Sequence, residues 1–123
     1  MTGALPNYIR LYREQNCLSQ DELAFLLGGE SGSKIARYEG NRRVPPLQTA
    51  LELAAALDTS VEELFLGHTE DARDDVKHRA RVLLERLEQR EPSPKTLRAW
   101  QLVDALANPD TPIIHAQETD TLD

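Results

Sequence analysis

Apolar residues recur along the chain in short bursts at the helical period, divided by glycine, proline and capping residues. Five short helices fit the region up to residue 66. The first covers residues 6–16, with Ile9 and Tyr12 or Arg13 on one face. The second has the clearest start signal. Ser19 and Glu22 have the spacing of a capping box, and Leu18 and Leu23 stand at the hydrophobic-staple positions, which fixes the angle at which the chain enters the helix. Leu23, Ala24, Leu26 and Leu27 then form its buried face, and Gly28-Gly29 ends it, because glycine tolerates a left-handed cap. The third helix is expected from Ser31, as N-cap, to Glu39. Ile35 and Tyr38, three apart, give it one apolar edge, and Gly40-Asn41 stops it. After the rigid Val44-Pro45-Pro46 connector, Leu47, Ala50, Leu51, Leu53, Ala54 and Leu57 mark a fourth helix. A second capping box, Ser60 with Glu63, opens a fifth that carries Leu64 and Phe65.

Beyond Gly67 the character changes. Residues 70–91 predict a charged amphipathic helix with the stripe Val76, Ala80, Leu83, Leu84 and Leu87. Pro92-Ser93-Pro94 breaks it. Ser93 as N-cap and Pro94 at the first helical position open another helix, carrying Leu97, Trp100, Val103, Leu106 and Ala107. The expected organisation is all-α: a five-helix bundle over residues 6–67, a helical appendage over 68–109, and a flexible polar tail over 110–123.

Charge complicates this picture. The 123 residues carry a net charge of −7, which by itself counts against nucleic acid. Its distribution points the other way. Residues 34–43 hold Lys34, Arg37, Arg42 and Arg43 against one acid, Glu39, a basic island on an acidic chain. The first ten residues have no apolar core of a signal peptide, no apolar run approaches a membrane span, and the one cysteine, Cys17, has no disulfide partner. A cytoplasmic protein without membrane contact is the expectation.

The segment from Leu18 to Ala24, residues 31–39, Arg42-Arg43, Pro45, and the stretch from Leu47 to Phe65 together resemble the Cro/lambda-repressor (XRE) helix-turn-helix family. The likeness covers about half of the chain. It implies a five-helix lambda-repressor-like bundle whose third helix lies in the major groove of double-stranded DNA. The residues fit that use. A recognition helix needs an apolar inner edge and a polar outer one. Ser31, Ser33, Lys34 and Arg37 supply the outer edge. Arg37 suits a bidentate contact to guanine, and Lys34 suits guanine or phosphate. The free N–H groups at the start of the third helix are a natural phosphate site. By resemblance, Gln20 reaches a phosphate and braces the recognition helix, and Asn41, Arg42 and Arg43 contact the DNA backbone. Arg13 and Glu39 match a family pair that joins the first helix to the end of the third, a structural role. Two features depart from the family. The Gly28-Gly29-Glu30 turn is one residue longer than usual, and Gly40-Asn41 stands where Asn-Gly is commoner.

Other chemistry is sparse. His68, His78 and His115 are scattered, Cys17 has no neighbour at metal-ligand spacing, and the acid pairs Glu62-Glu63 and Asp74-Asp75 sit at helix starts, where they favour the macrodipole. No metal, no cofactor and no enzymatic activity are expected. The expected function is a sequence-specific transcriptional regulator, a repressor acting as a homodimer on a palindromic operator, because one recognition helix offers too few contacts for specificity. The appended helices, through Leu83, Leu84, Leu87, Leu97, Trp100 and Val103, are the expected dimerisation element; folding back to complete the monomer is the alternative. Two rival readings use the same helices for a protein partner: an antitoxin that binds its own promoter, and an adaptor that has lost DNA.

Overall fold

The computed structural model describes residues 3–109, which form seven helices and no strand. These are α1 (Ile9–Gln15), α2 (Gln20–Leu26), α3 (Ser33–Glu39), α4 (Leu47–Ala56), α5 (Val61–Leu64), α6 (Leu66–Glu88) and α7 (Pro94–Ala107). The expected tail over 110–123 lies outside the described residues. The chain divides into two compact units, one up to Asp71 and one from Ala72.

In the first unit, α1 to α5 close around one core. Ile9, Leu23, Leu53 and Leu64 are its fully buried large side chains, with Ile35, Tyr38, Leu57 and Phe65 packed among them. Each such side chain contributes about 1.5–3 kcal/mol by leaving water. The expected stripes locate the core but are too wide at their edges. Leu26, expected to be buried, is exposed, as are Leu47 and Leu51. On α2 the buried face is centred on Leu23, Ala24 and Leu27, and Leu26 falls about 100° around the helix from that centre.

Side-chain caps open α2 and α5, and left-handed residues close four helices. Ser19 caps α2 with its full box: its Oγ accepts from Glu22 N–H at 2.9 Å, and its own N–H donates to Glu22 Oε1 at 2.8 Å. At α5 only half of the expected box forms. Ser60 Oγ accepts from Glu63 N–H, but the Glu63 carboxylate takes the Thr59 hydroxyl instead. Four helices end in the same way, with a left-handed residue directly after the cap: Cys17, Gly28, Asn41 and Asp58. In each case the residue after it donates back five positions, as Leu18 N–H does to Arg13 and Arg42 N–H to Arg37. This is the Schellman arrangement, and glycine occupies its left-handed position only once here.

The second unit begins inside α6, which starts at Leu66 rather than near Glu70. Gly67 in its first turn is required by a close approach: a Cβ there would lie 2.5 Å from the Leu5 carbonyl oxygen, to which the Gly67 N–H donates. Farther on, α6 and α7 pack on each other as a hairpin through Ala80, Leu84 and Leu87 on one side and Ala99, Trp100, Val103 and Ala107 on the other. Ser93 caps α7 through Thr96 N–H, with Pro94 at its start as expected. Among the described residues, no helix is long and apolar enough to cross a membrane.

Candidate nucleic-acid interface

The site is assembled by α2, the turn after it and α3. Its frame is a polar network at the far end of α3. Arg13 Nε donates to Glu39 Oε2 at 2.6 Å, Arg13 Nη2 donates to Glu39 Oε1 at 3.2 Å, and Arg13 Nη1 donates to the Leu18 carbonyl at 2.9 Å. Gln20 Nε2 adds a third donor to the Glu39 carboxylate, at 3.0 Å from Oε1. The Arg13 and Glu39 side chains are 11% and 6% exposed, so the pair works in a low dielectric, where such bonds strengthen one another. Hydrogen bonding by Glu39 raises the Arg13 pKa above its ordinary value against the opposing effect of burial. A raised pKa means that the guanidinium's contribution is complete below the ordinary arginine pKa and is lost only at still higher pH, so Arg13 gives folding no pH dependence near neutrality. Asn7 completes the frame, with its Nδ2 donating to the Tyr38 carbonyl at 2.9 Å.

This network fixes the electrostatics of the outer face. Glu39, the one acid among residues 34–43, is turned inward and neutralised. Lys34, Arg37, Arg42 and Arg43 lie toward solvent, with no ion-pair partner among the described residues. The basic island is therefore more positive at the surface than its sequence charge.

The near end of α3 differs from expectation. Gly32, not Ser31, is the N-cap, and the helix begins at Ser33. Its partner is Asp21 on α2, whose Oδ1 accepts from Gly32 N–H at 2.6 Å. The Asp21 carboxylate thus takes the N-cap N–H at the start of α3. Gly32 is needed for this approach, since a Cβ would lie 2.5 Å from Gln20 Cβ and 2.7 Å from the Gln20 carbonyl carbon. Asp21 and Gly32 both position α3, and neither was assigned a role from sequence. The signal was present only as the Gly32 position itself, flanked by two serines.

The remaining candidate residues lie on and beside α3. Ser31 and Ser33 are exposed, their hydroxyls 3.1 Å apart just before and at the first position of α3. Lys34 follows, and Arg37 stands one turn on. Asn41, with φ 57°, turns the chain so that Arg42 and Arg43 follow in the loop directly after α3. Gln20 is half-buried at the start of α2, and its brace to Glu39 is in place. Lys34 also lines a groove of about 280 Å3 between α2, α3 and α4, with Ser31, Tyr38, Thr49 and Glu52. Glu52 is an acid in the same groove as Lys34 that the sequence did not single out. Among the described residues no cluster of His, Cys, Asp and Glu could hold a metal ion.

Of the residues expected to dimerise, Leu87 and Val103 are buried in the hairpin, Leu84 and Trp100 are half-buried there, and Leu83 and Leu97 are exposed.

Residues 9–64 match a family model described as helix-turn-helix, which takes in α1 to α5. No match to the chain is found among curated proteins or among solved structures.

Proposed function

Because residues 9–64 belong to the helix-turn-helix family of Cro/lambda-repressor (XRE) type, a family of DNA-binding transcriptional regulators, we propose that this chain is a cytoplasmic repressor that binds a palindromic operator as a homodimer. The observation that carries the reading is the burial of Glu39 against Arg13, which leaves Lys34, Arg37, Arg42 and Arg43 around α3 with no unpaired acid among them. Four cations on and beside one short helix suit a phosphate-lined groove. In this proposal Arg37 and Lys34 read base edges, and Ser31 and Ser33 add short polar contacts. Gln20, Asn41, Arg42 and Arg43 hold the backbone. Arg13 and Glu39 keep the helix at its angle.

Selection of bound fragments from random DNA, followed by gel shifts at two salt concentrations, tests this. The expected outcome is an enriched site with two-fold symmetry and half-sites about one helical turn apart. Arg37→Ala should erase the preference among sites. Arg42→Ala should weaken binding to all of them and reduce the salt slope by about 0.9 for each phosphate it no longer neutralises. Absence of retardation at low salt would overturn the DNA reading. An enriched site without symmetry would overturn the homodimer.

A further inference from the structure

We propose that a second copy of this chain docks antiparallel on the hairpin face formed by Val76 and Leu83 of α6 with Leu102 and Leu106 of α7. The inference rests on the homodimer proposed above and assigns the surface that makes it.

The four side chains are 44%, 39%, 62% and 39% exposed, respectively. They are not scattered. Val76 and Leu83 are two turns apart on α6, and Leu102 and Leu106 one turn apart on α7, each pair beside the residues that join the two helices. Val76, Leu83 and Leu106 line a groove of about 240 Å3 whose floor is Ala80 and Val103. Val76 and Leu106 also line a second groove of about 460 Å3 with Ala72 and Ala105, edged by Arg73, Asp74 and Lys77, so the trough continues along the hairpin. The buried set inside the hairpin is Ala80, Leu87, Val103 and Ala107, two of them alanines. Two such hairpins laid face to face make a four-helix bundle, the arrangement in which helix pairs of this kind close a core.

Charge names the occupant and its direction. The first part of α6 carries Glu70, Asp71, Asp74 and Asp75 against Arg73, a net −3. The following part, to the end of the helix, carries Lys77, Arg79, Arg81 and Arg86 against Glu85 and Glu88, a net +2 with the histidine neutral. None of these groups has an ion-pair partner among the described residues, where every ion pair involves α1. A helix with acid first and base second is complementary to itself only when reversed. A two-fold axis between Ala80 and Arg81 sets Asp75 of each copy opposite Arg86 of the other, with Val76 less than one helical turn from the partner's Leu83. A parallel copy would set like charge on like, which costs affinity.

Sedimentation equilibrium on the full chain, with and without substitutions at exposed positions, tests the assignment. The wild type should be a dimer at micromolar concentration. Asp75→Arg and Arg86→Asp should each weaken the dimer by about tenfold or more through like-charge contact, and the two together in one chain should restore it. Leu83→Glu with Leu106→Glu should give a monomer whose first unit still melts cooperatively. A wild-type dimer that these variants leave unchanged would overturn this surface and leave the homodimer standing. So would a double charge reversal no tighter than the single ones. A wild-type monomer would remove the homodimer itself. Deleting residues 110–123 should leave the dimer constant unchanged; a monomeric chain that dimerises only after this deletion would assign the trough to the tail and overturn the proposal.

Discussion

The bundle and the hairpin use leucine at the same helical spacing and reach different ends. In the bundle, five helices surround Ile9, Leu23, Leu53 and Leu64 from all sides, and a buried Arg13–Glu39 pair ties the first helix to the third. In the hairpin, two helices cover one another along a single seam, and Val76, Leu83, Leu97, Leu102 and Leu106 remain exposed. An amphipathic stripe thus reports that a helix needs cover. How many neighbours supply it decides whether the unit is complete or waits for more chain.

The comparison can be broken most directly by cavities. Leu53→Ala should cost about 3–5 kcal/mol, because the surrounding helices cannot all collapse into the space left. Leu87→Ala should cost about 2 kcal/mol, near the lower end of the usual range, since a two-helix seam can relax. Equal losses in urea titrations would show that the hairpin is as tightly closed as the bundle. Next comes the buried pair. Arg13→Met alone should lose about 3 kcal/mol by leaving Glu39 uncompensated, while Arg13→Met with Glu39→Leu should recover most of it. A double variant as unstable as the single one would mean that the pair contributes more than apolar packing can replace. Smaller again is Gly32→Ala. It should cost about 1–3 kcal/mol through its clash with Gln20 and should weaken DNA binding beyond that loss by displacing α3. Retained affinity in a folded variant would show that the approach of α3 to α2 is not what aims the helix. The smallest effect has the opposite sign. Cys17→Gly should raise stability by about 1 kcal/mol, because a left-handed conformation suits glycine. A melting temperature that does not rise would show the Cys17 turn to be unstrained.

Much of the fold was legible because its signals are local. The Ser19 box, the Gly28 stop, the Ser93-Pro94 start and the buried Ile35 and Tyr38 depend on residues a few positions apart. The Arg13–Glu39 bridge was legible only through a family likeness, since nothing local pairs residues 26 apart. The start of α3 was misplaced for a related reason. Ser31 is the better cap by residue type, but Asp21, eleven residues earlier, reaches across to Gly32 and sets the register instead. The left-handed cap at Cys17 is not legible because cysteine does not favour that conformation, and the one at Asp58 is only weakly signalled by aspartate. The exposure of Leu26, Leu47 and Leu51 was hidden because periodicity gives the direction of a stripe and not its width.

Glu39's burial also bears on how far the chain's overall charge reaches. At physiological salt the Debye length is about 8 Å, so a phosphate beside Arg37 senses the cations around α3 and little of the remaining acid. At about 0.01 M salt the length grows to about 30 Å, and the net −7 of the whole chain enters the balance. Dilution should therefore help this protein bind DNA less than it helps a basic one, and its log–log salt plot should bend toward the horizontal at the dilute end.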